Sequence, residues 1–429
     1  RGRLDARRTL KSLVADLRLK MKRIGILTYH CVINFGAQLQ TLSSIGYFRN
    51  NGYEPIVLNW YPHDLEEFYR TEVPSCQYDE QFSFSQSQMP VSRLCRTVED
   101  VAKEIQRLNI EAVFIGSDAL FDYSPQKNRK HLDIKSMRFV SNGPVGATHD
   151  LPNAFWGSFN DFLPKPIPCV GFSISSQSAP YFRYNHAELN ELKRLLGNFG
   201  FLSLRDDWTC NMVKYICGRQ DVTVTPDPVF AFNINTSYSV LKADLLKKYK
   251  LPKNYILISF CHDYLSCDYV NRIITQVEDA TGCSCVSFPM PRKLKEYNTK
   301  YSVSLPLPTL DWYYLIKYSQ GYIGELMHPI IVSLHNSVPF YCFDQYGTFK
   351  TVIPMIWHKK IPESSKIYDI LKRGDFLSNV YAYNQNNIPE VKDVVNAFLH
   401  FDKDKCKKFA ATMLTKYKSA MKEIEHILK

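Results

Sequence analysis

The chain has 429 residues, 45% hydrophobic and 22% charged, with 18 Gly and 23 Pro. Those values exclude collagen-like, coiled-coil and intrinsically disordered chains, and the length predicts two or three domains, each able to bury its own core. The net charge of +11 gathers at the ends, with seven Lys/Arg against two Asp in residues 1–20 and eight Lys against four acids in residues 401–429. The body between is near neutral, so no nucleic-acid partner is expected.

No window of 18 residues is uninterruptedly apolar, and the most apolar stretch, Pro329 to Phe343, is broken by His335 and Asn336. A membrane span is therefore not expected. Residues 1–20 are basic with scattered leucines, unlike a signal peptide, so a soluble, cytoplasmic protein is expected. Met21 is a candidate start, which would make residues 1–20 an extension. The 12 cysteines contain no CxxC, only the CxC of Cys283 and Cys285. That spacing predicts buried free thiols, no metal and no bound cofactor.

In chain order, residues 1–20 form a basic amphipathic segment, with Leu10, Leu13, Val14 and Leu17 at helical spacing. Residues 24–29 read as a buried parallel strand, Ala37–Asn50 as a helix and Pro55–Trp60 as a second strand, a β-α-β opening. Pro74 to Pro90, rich in Ser and Gln, reads as a long surface loop. Strands are expected at Ala112–Ile115, Cys169–Ile174 and Phe201–Leu204.

The pattern restarts near residue 254. Strands are expected at Tyr255–Phe260, Cys285–Phe288, Gly321–Gly324 and Phe340–Phe343. Helices are expected at Tyr269–Thr281, Asp311–Tyr318 and Pro329–Asn336. The expected fold class is α/β, with two Rossmann-like domains facing across a cleft. The boundaries are an N-terminal domain over 21–235, a C-terminal domain over 236–400 and an amphipathic helix over 401–429. That helix carries Ala410, Met413, Leu414 and Tyr417 on one stripe. The basic ends either touch an anionic membrane peripherally or pack on the body with a solvated lysine face, and the second reading is preferred.

Four stretches at strand ends carry candidate chemistry. Asn34-Phe-Gly36 opens a helix, where amides and the helix dipole suit an anion, or forms a well-capped strand-to-helix turn. Gly116-Ser117-Asp118 ends a strand, with Asp118 able to bind a hydroxyl or cap a helix. Arg205 leaves a strand as an anion clamp or as an ion-pair partner of Asp206 or Asp207. Glu325 and His328 lie at a strand-to-helix junction, where His328 can act as a general acid or be a hydrogen-bonded structural residue.

Taken together, Ile24–His30 with Asn34–Gln40, Val113–Asp118, Gly171–Ser175, Ser203–Asp206, Asp227–Phe230 and Gly324–Pro329 resemble the polysaccharide pyruvyl transferase family, over roughly residues 22–345. The resemblance implies a glycosyltransferase-B-like fold. It also implies transfer of pyruvyl from phosphoenolpyruvate, a co-substrate, onto two hydroxyls of a sugar as a cyclic ketal. The acceptor implied is a glycan or lipid-linked sugar, a precursor of a bacterial surface polysaccharide. The implied roles are acid for His328, anion clamp for Arg205, phosphate donors around Asn34 and Gly36, and hydroxyl orientation for Asp118 and Glu325. Many family members carry an Arg where this chain has Leu326, and Arg183 or Lys317 are candidates to replace that charge. The competing reading is a nucleotide-sugar-dependent glycosyltransferase of similar architecture, for which Glu325 is the one motif acid able to hold a ribose.

Overall fold

The computed structural model describes residues 21–124, 130–133, 138–141, 146–347, 349–353, 357–382 and 388–428. The basic segment read over 1–20 lies outside the described residues.

The first sheet contains β1 (Arg23–Leu27), β2 (Glu54–Trp60), β3 (Val91–Cys95), β4 (Ala112–Asp118), β7 (Cys169–Ile174), β8 (Phe199–Leu204) and β9 (Thr223–Val224). Short antiparallel strands β5 (Lys130–Asp133) and β6 (Arg138–Ser141) pair outside it. Its strand order is β3-β2-β1-β4-β7-β8-β9, all parallel. The second sheet contains β10 (Tyr255–Ser259), β11 (Ser284–Ser287), β12 (Tyr301–Ser302), β13 (Gly321–Gly324), β14 (Phe340–Asp344) and β17 (Val380–Ala382). Its order is β12-β11-β10-β13-β14-β17, again parallel, with β15 (Phe349–Ile353) and β16 (Trp357–Lys360) as a separate hairpin.

Both orders reverse once, between β1 and β4 in the first sheet and between β10 and β13 in the second. At such a reversal the chain leaves adjacent strands toward opposite faces of the sheet, which opens a crevice at their carboxyl ends. The expected fold of two Rossmann-like domains is what the chain adopts.

Alternation along the strands divides the cores. In β10, Tyr255 and Leu257 point to one side and Ile256 and Ile258 to the other. The inner faces of both sheets join in one apolar cluster, shared through the helices Phe35–Asn50, Thr309–Tyr318, Met327–Asn336 and Lys403–Leu428. Phe35 stacks on Trp312 across the boundary, with ring centroids 5.0 Å apart.

The stretch read as a surface loop at Pro74–Pro90 is instead a helix, Ser75–Gln88, whose buried face is mostly polar: Gln77, Gln81 and Ser85, with Tyr78 as its one buried aromatic. Gln77 gives and takes a hydrogen bond with the backbone of Leu307, at 3.0 and 2.6 Å. Gln38 donates to Ser85 Oγ at 2.8 Å and accepts from Thr309 Oγ1. The helix was hidden because its inward stripe carries two amides and a hydroxyl beside the single aromatic Tyr78, too few apolar residues to reveal helical periodicity.

The last helix, Lys403–Leu428, follows the second domain in sequence and packs on both domains: Cys406 Sγ donates to Leu334 O of the second at 3.3 Å, and its later turns lie against the first. Tyr417 meets Phe172 edge-on at 5.5 Å, and its hydroxyl accepts from Asn235 at 2.8 Å. Met413, Tyr417, Met421 and Ile424 are buried. The apolar stripe that a membrane contact would use at this end is thus covered by protein, and the lysines face outward. Among the described residues, no helix is long and apolar enough to cross a membrane.

Candidate functional site

The carboxyl ends of β1 and β4 face those of β10 and β13 across a cavity of about 500 Å³, lined from both domains. Asn34 and Asp118 contribute from the first domain, and Leu326 and His328 from the second. A second cavity of about 420 Å³ adjoins it and shares Asn34, Tyr69, Asp118, Arg292, Tyr346 and Lys366 as lining residues.

His328 is the second residue of the helix Met327–Asn336, whose N-terminus no side chain caps. The unpaired amides and dipole of that helix end therefore face the cavity, a ready place for an anion. Of the two readings of Asn34, the structure shows the capped turn: Asn34 Oδ1 accepts from the amides of Gly36 and Ala37 at 3.0 and 3.4 Å, which closes that helix end. Gly36 has a different duty. A Cβ there would lie 1.8 Å from His328 Cγ, so the missing side chain is the space the imidazole fills.

His328 is 7% exposed, and its Nε2 has no hydrogen-bond partner and stands 3.9 Å from Asp227 Oδ2. Burial pushes its pKa down; Asp227 and Asp118 oppose this, while Arg205 and Lys366 add to it. The resting imidazole is therefore neutral near pH 7. An anion in the cavity would favour its charged form.

Arg205 lines neither cavity. Its guanidinium lies behind the wall, 3.1 Å from Asp227 Oδ2 and 3.4 Å from Asp118 Oδ1, with 2% of its side chain exposed. Its partners are these two acids, not Asp206 or Asp207. Asp206 instead caps the next helix, accepting from the Thr209 amide at 2.7 Å. Asp227, fully buried, also accepts from Gln40 and from the Val229 amide. Burial would raise the Asp118 carboxyl, but Arg205, Lys366 and His328 outweigh it and hold the pKa below the usual carboxylate value. Asp118 is ionised, and its backbone sits at φ +133°, a conformation that a non-glycine residue rarely holds away from functional sites. Leu326, at φ +73°, is the other such residue on the wall of the larger cavity, and Gln177, at φ +57°, lines the second.

Gly116 and Ser117 build the strand end and do not line the cavities. A Cβ on Gly116, at φ +139°, would meet Phe172 O at 2.0 Å. Ser117 Oγ donates to Ser173 O at 2.6 Å. Glu325 is 2% exposed and also lies behind the wall, where its carboxylate is held by Cys261, His262 and Gln345.

The cations of the site are ones that spacing did not reveal. Arg183 and Lys317 are not among the lining residues; Arg292, Lys293 and Lys366 are. Arg292 reaches from the second domain over the Phe68 ring of the first, 4.8 Å from its centroid. Lys366 is 8% exposed and lines both cavities. Burial, then Arg205, pull its pKa down to about 8, against Asp118, Asp206 and Asp227. It begins a helix capped by Ser365, and nothing local in the sequence marks it as functional. Asp227 was legible only as part of the Asp227–Phe230 motif.

The sequence profile of the family described as polysaccharide pyruvyl transferase matches residues 34–345. The chain belongs to the polysaccharide pyruvyl transferase family. The match takes in Asn34, Asp118, Arg205, Asp227 and His328 and stops before Lys366. No curated protein is similar to the chain in sequence. Among solved structures, UDP-GlcNAc 2-epimerase from Neisseria meningitidis, bound to UDP-GlcNAc, aligns with a TM-score of 0.52 at 10% identity, covering 91% of this chain and 94% of that one. A glycosyltransferase from Rickettsia africae aligns with a TM-score of 0.50 at 10% identity, covering 96% and 98%. At that identity the likeness carries the fold alone. This pyruvyl transferase family member has a glycosyltransferase-B-like fold, and the candidate residues Asn34, Asp118, Glu325 and His328 lie at or after the ends of strands at its two order reversals.

Proposed function

We propose that this family member transfers the pyruvyl group of phosphoenolpyruvate onto two hydroxyls of a glycan or lipid-linked sugar, forming a cyclic ketal. The observation that carries the reading is the convergence of Lys366, Arg292 and Lys293 with the uncapped helix end and His328 on one cavity. A small donor bearing both a carboxylate and a phosphate needs several cationic or N–H contacts beside a proton donor.

In this scheme the donor's negative charge brings a proton onto His328, which delivers it to the methylene carbon and makes a methyl group. Positive charge develops at the adjacent carbon. One sugar hydroxyl adds there, its proton passing to Asp118. The C–O bond to phosphate breaks, and the second hydroxyl adds. Two hydroxyl protons are lost overall; one is balanced by the new methyl hydrogen and the other leaves with phosphate. Arg205 acts through Asp118 and Asp227, holding both carboxylates in place. The scheme requires no metal. The second cavity, with Phe68, Tyr69 and Tyr29 beside Asp122, His149 and Gln177, would hold the sugar.

The nucleotide-sugar reading needs an acid free to hold a ribose, and Glu325 is occupied elsewhere. The test is thermal stability with phosphoenolpyruvate, set against UDP-sugars, on wild type and Lys366→Met. A shift with phosphoenolpyruvate that Lys366→Met reduces supports pyruvyl transfer. A shift with a UDP-sugar alone would replace it by the glycosyltransferase reading.

A further inference from the structure

We infer that Cys261, His262 and Glu325 form a zinc-binding site in the wall of the larger cavity, with an open coordination position toward the cavity. Cys261 and His262 follow β10, and Glu325 follows β13, so the three donors meet at the strand-order reversal of the second sheet. Cys261 Sγ lies 3.2 Å from Glu325 Oε2 and 3.2 Å from His262 Nδ1, and His262 Nδ1 lies 2.8 Å from Glu325 Oε2. The three donor atoms thus form a closed triangle.

A zinc ion at ordinary bond lengths, about 2.3 Å to sulfur and about 2.0 Å to nitrogen and oxygen, needs tetrahedral ligand separations of about 3.3–3.6 Å. The triangle has only to open by a few tenths of an ångström. His262 can supply that movement, because its side chain is 43% exposed.

A second observation is the charge at the centre. Glu325 has a 2% exposed side chain, and among the described residues no Lys or Arg lies within ion-pair distance; His262 is its one potential counter-charge. Buried carboxylates are ordinarily paired with a cation or coordinate a metal. The backbone amides of Cys261 and His262 donate to Oε2 at 3.1 and 3.3 Å, and Gln345 donates to Oε1. These are the outer contacts that orient a ligating carboxylate.

Thiolate, imidazole and carboxylate together suit zinc rather than magnesium or calcium, which prefer oxygen donors alone. On binding, the Cys261 thiol releases its proton to solvent and His262 carries its remaining proton on Nε2. Cys261 and His262 both line the cavity, beside Leu326, so the fourth position opens there. Sequence spacing could not reveal this site, because one donor lies 63 residues from its neighbour His262 and no paired motif exists.

The test is cobalt titration of the metal-stripped full chain. One equivalent should give a thiolate-to-cobalt charge-transfer band and intense tetrahedral d–d absorption, both removed by equimolar zinc. Cys261→Ser should abolish the charge-transfer band. His262→Ala, at an exposed ring, should weaken binding roughly 100-fold or more without loss of the fold, judged by circular dichroism. Cys76→Ser, at an exposed cysteine elsewhere, should change nothing. Inorganic phosphate should shift the d–d bands by entering the open position; the choice of that probe rests on the reaction proposed above, whereas the metal site does not. No stoichiometric cobalt signal, or one that survives Cys261→Ser, would overturn the site, and a spectrum indifferent to phosphate would overturn its open position. None of these readouts depends on pyruvyl transfer, so either proposal can fail alone.

Discussion

Gly36 and His328 occupy one space across the domain boundary: a methyl group on the glycine would lie 1.8 Å from the imidazole Cγ. The first domain therefore sets the position of the second domain's candidate acid, and it does so by lacking a side chain.

Gly36→Ala should displace His328 while leaving both sheets intact. Moving a reacting group by about 1 Å typically costs on the order of 100-fold in rate. Pyruvyl transfer is expected to fall by that factor with kcat affected more than KM, and far-ultraviolet circular dichroism should be unchanged. Full activity in the alanine variant would remove His328 from the chemistry.

Lys366 has a pKa near 8 when folded and about 10.4 when unfolded. Its ammonium is charged below pH 8 and is lost above it, so affinity for phosphoenolpyruvate should fall as pH rises through about 8. Lys366→Arg should remove that limb of the KM profile, because a guanidinium stays charged.

The same lowered pKa carries a stability cost. The unfolded chain binds a proton between pH 8 and 10.4 that the folded chain does not, so the contribution of Lys366 to stability rises with pH through that window and is least favourable below it. Lys366→Met, measured by thermal unfolding at pH 7, is expected to raise Tm by roughly 2–5 °C while raising the donor KM. A fall in Tm would mean that the ammonium is a structural partner of its neighbouring acids.

Asp227 is fully buried and faces Arg205, Gln40 and His328. Asp227→Asn leaves the Arg205 charge short of one partner, a loss that typically costs about 3–5 kcal/mol. A lower urea midpoint at unchanged slope is the expected result, together with loss of activity.

Gln77 satisfies both backbone groups of Leu307 across the domain boundary. Gln77→Ala strands a buried N–H and C=O, at about 1–3 kcal/mol each. Urea unfolding should show the loss, and a single cooperative transition should persist because the apolar cluster spans both domains.

What the sequence determined by itself was what depends on neighbours along the chain. Apolar runs such as Val113–Ile115 and Leu257–Ile258 marked strands, and the motifs at their ends marked which strands lead into the site. Asn34, Asp118 and His328 were legible because each follows directly from a strand or opens a helix. The helix Ser75–Gln88 was not, because its buried face is mostly polar and gives no apolar period. The tertiary structure alone decided which charges meet. It turned Arg205 inward to Asp118 and Asp227, left Glu325 behind the wall, held there by Cys261 and His262 of the cavity lining, and brought Lys366 and Arg292 to the cavity. Electrostatic pairing and desolvation act through space over a few ångströms, and residues that distance apart across two parallel sheets can be tens to hundreds of positions apart in the chain.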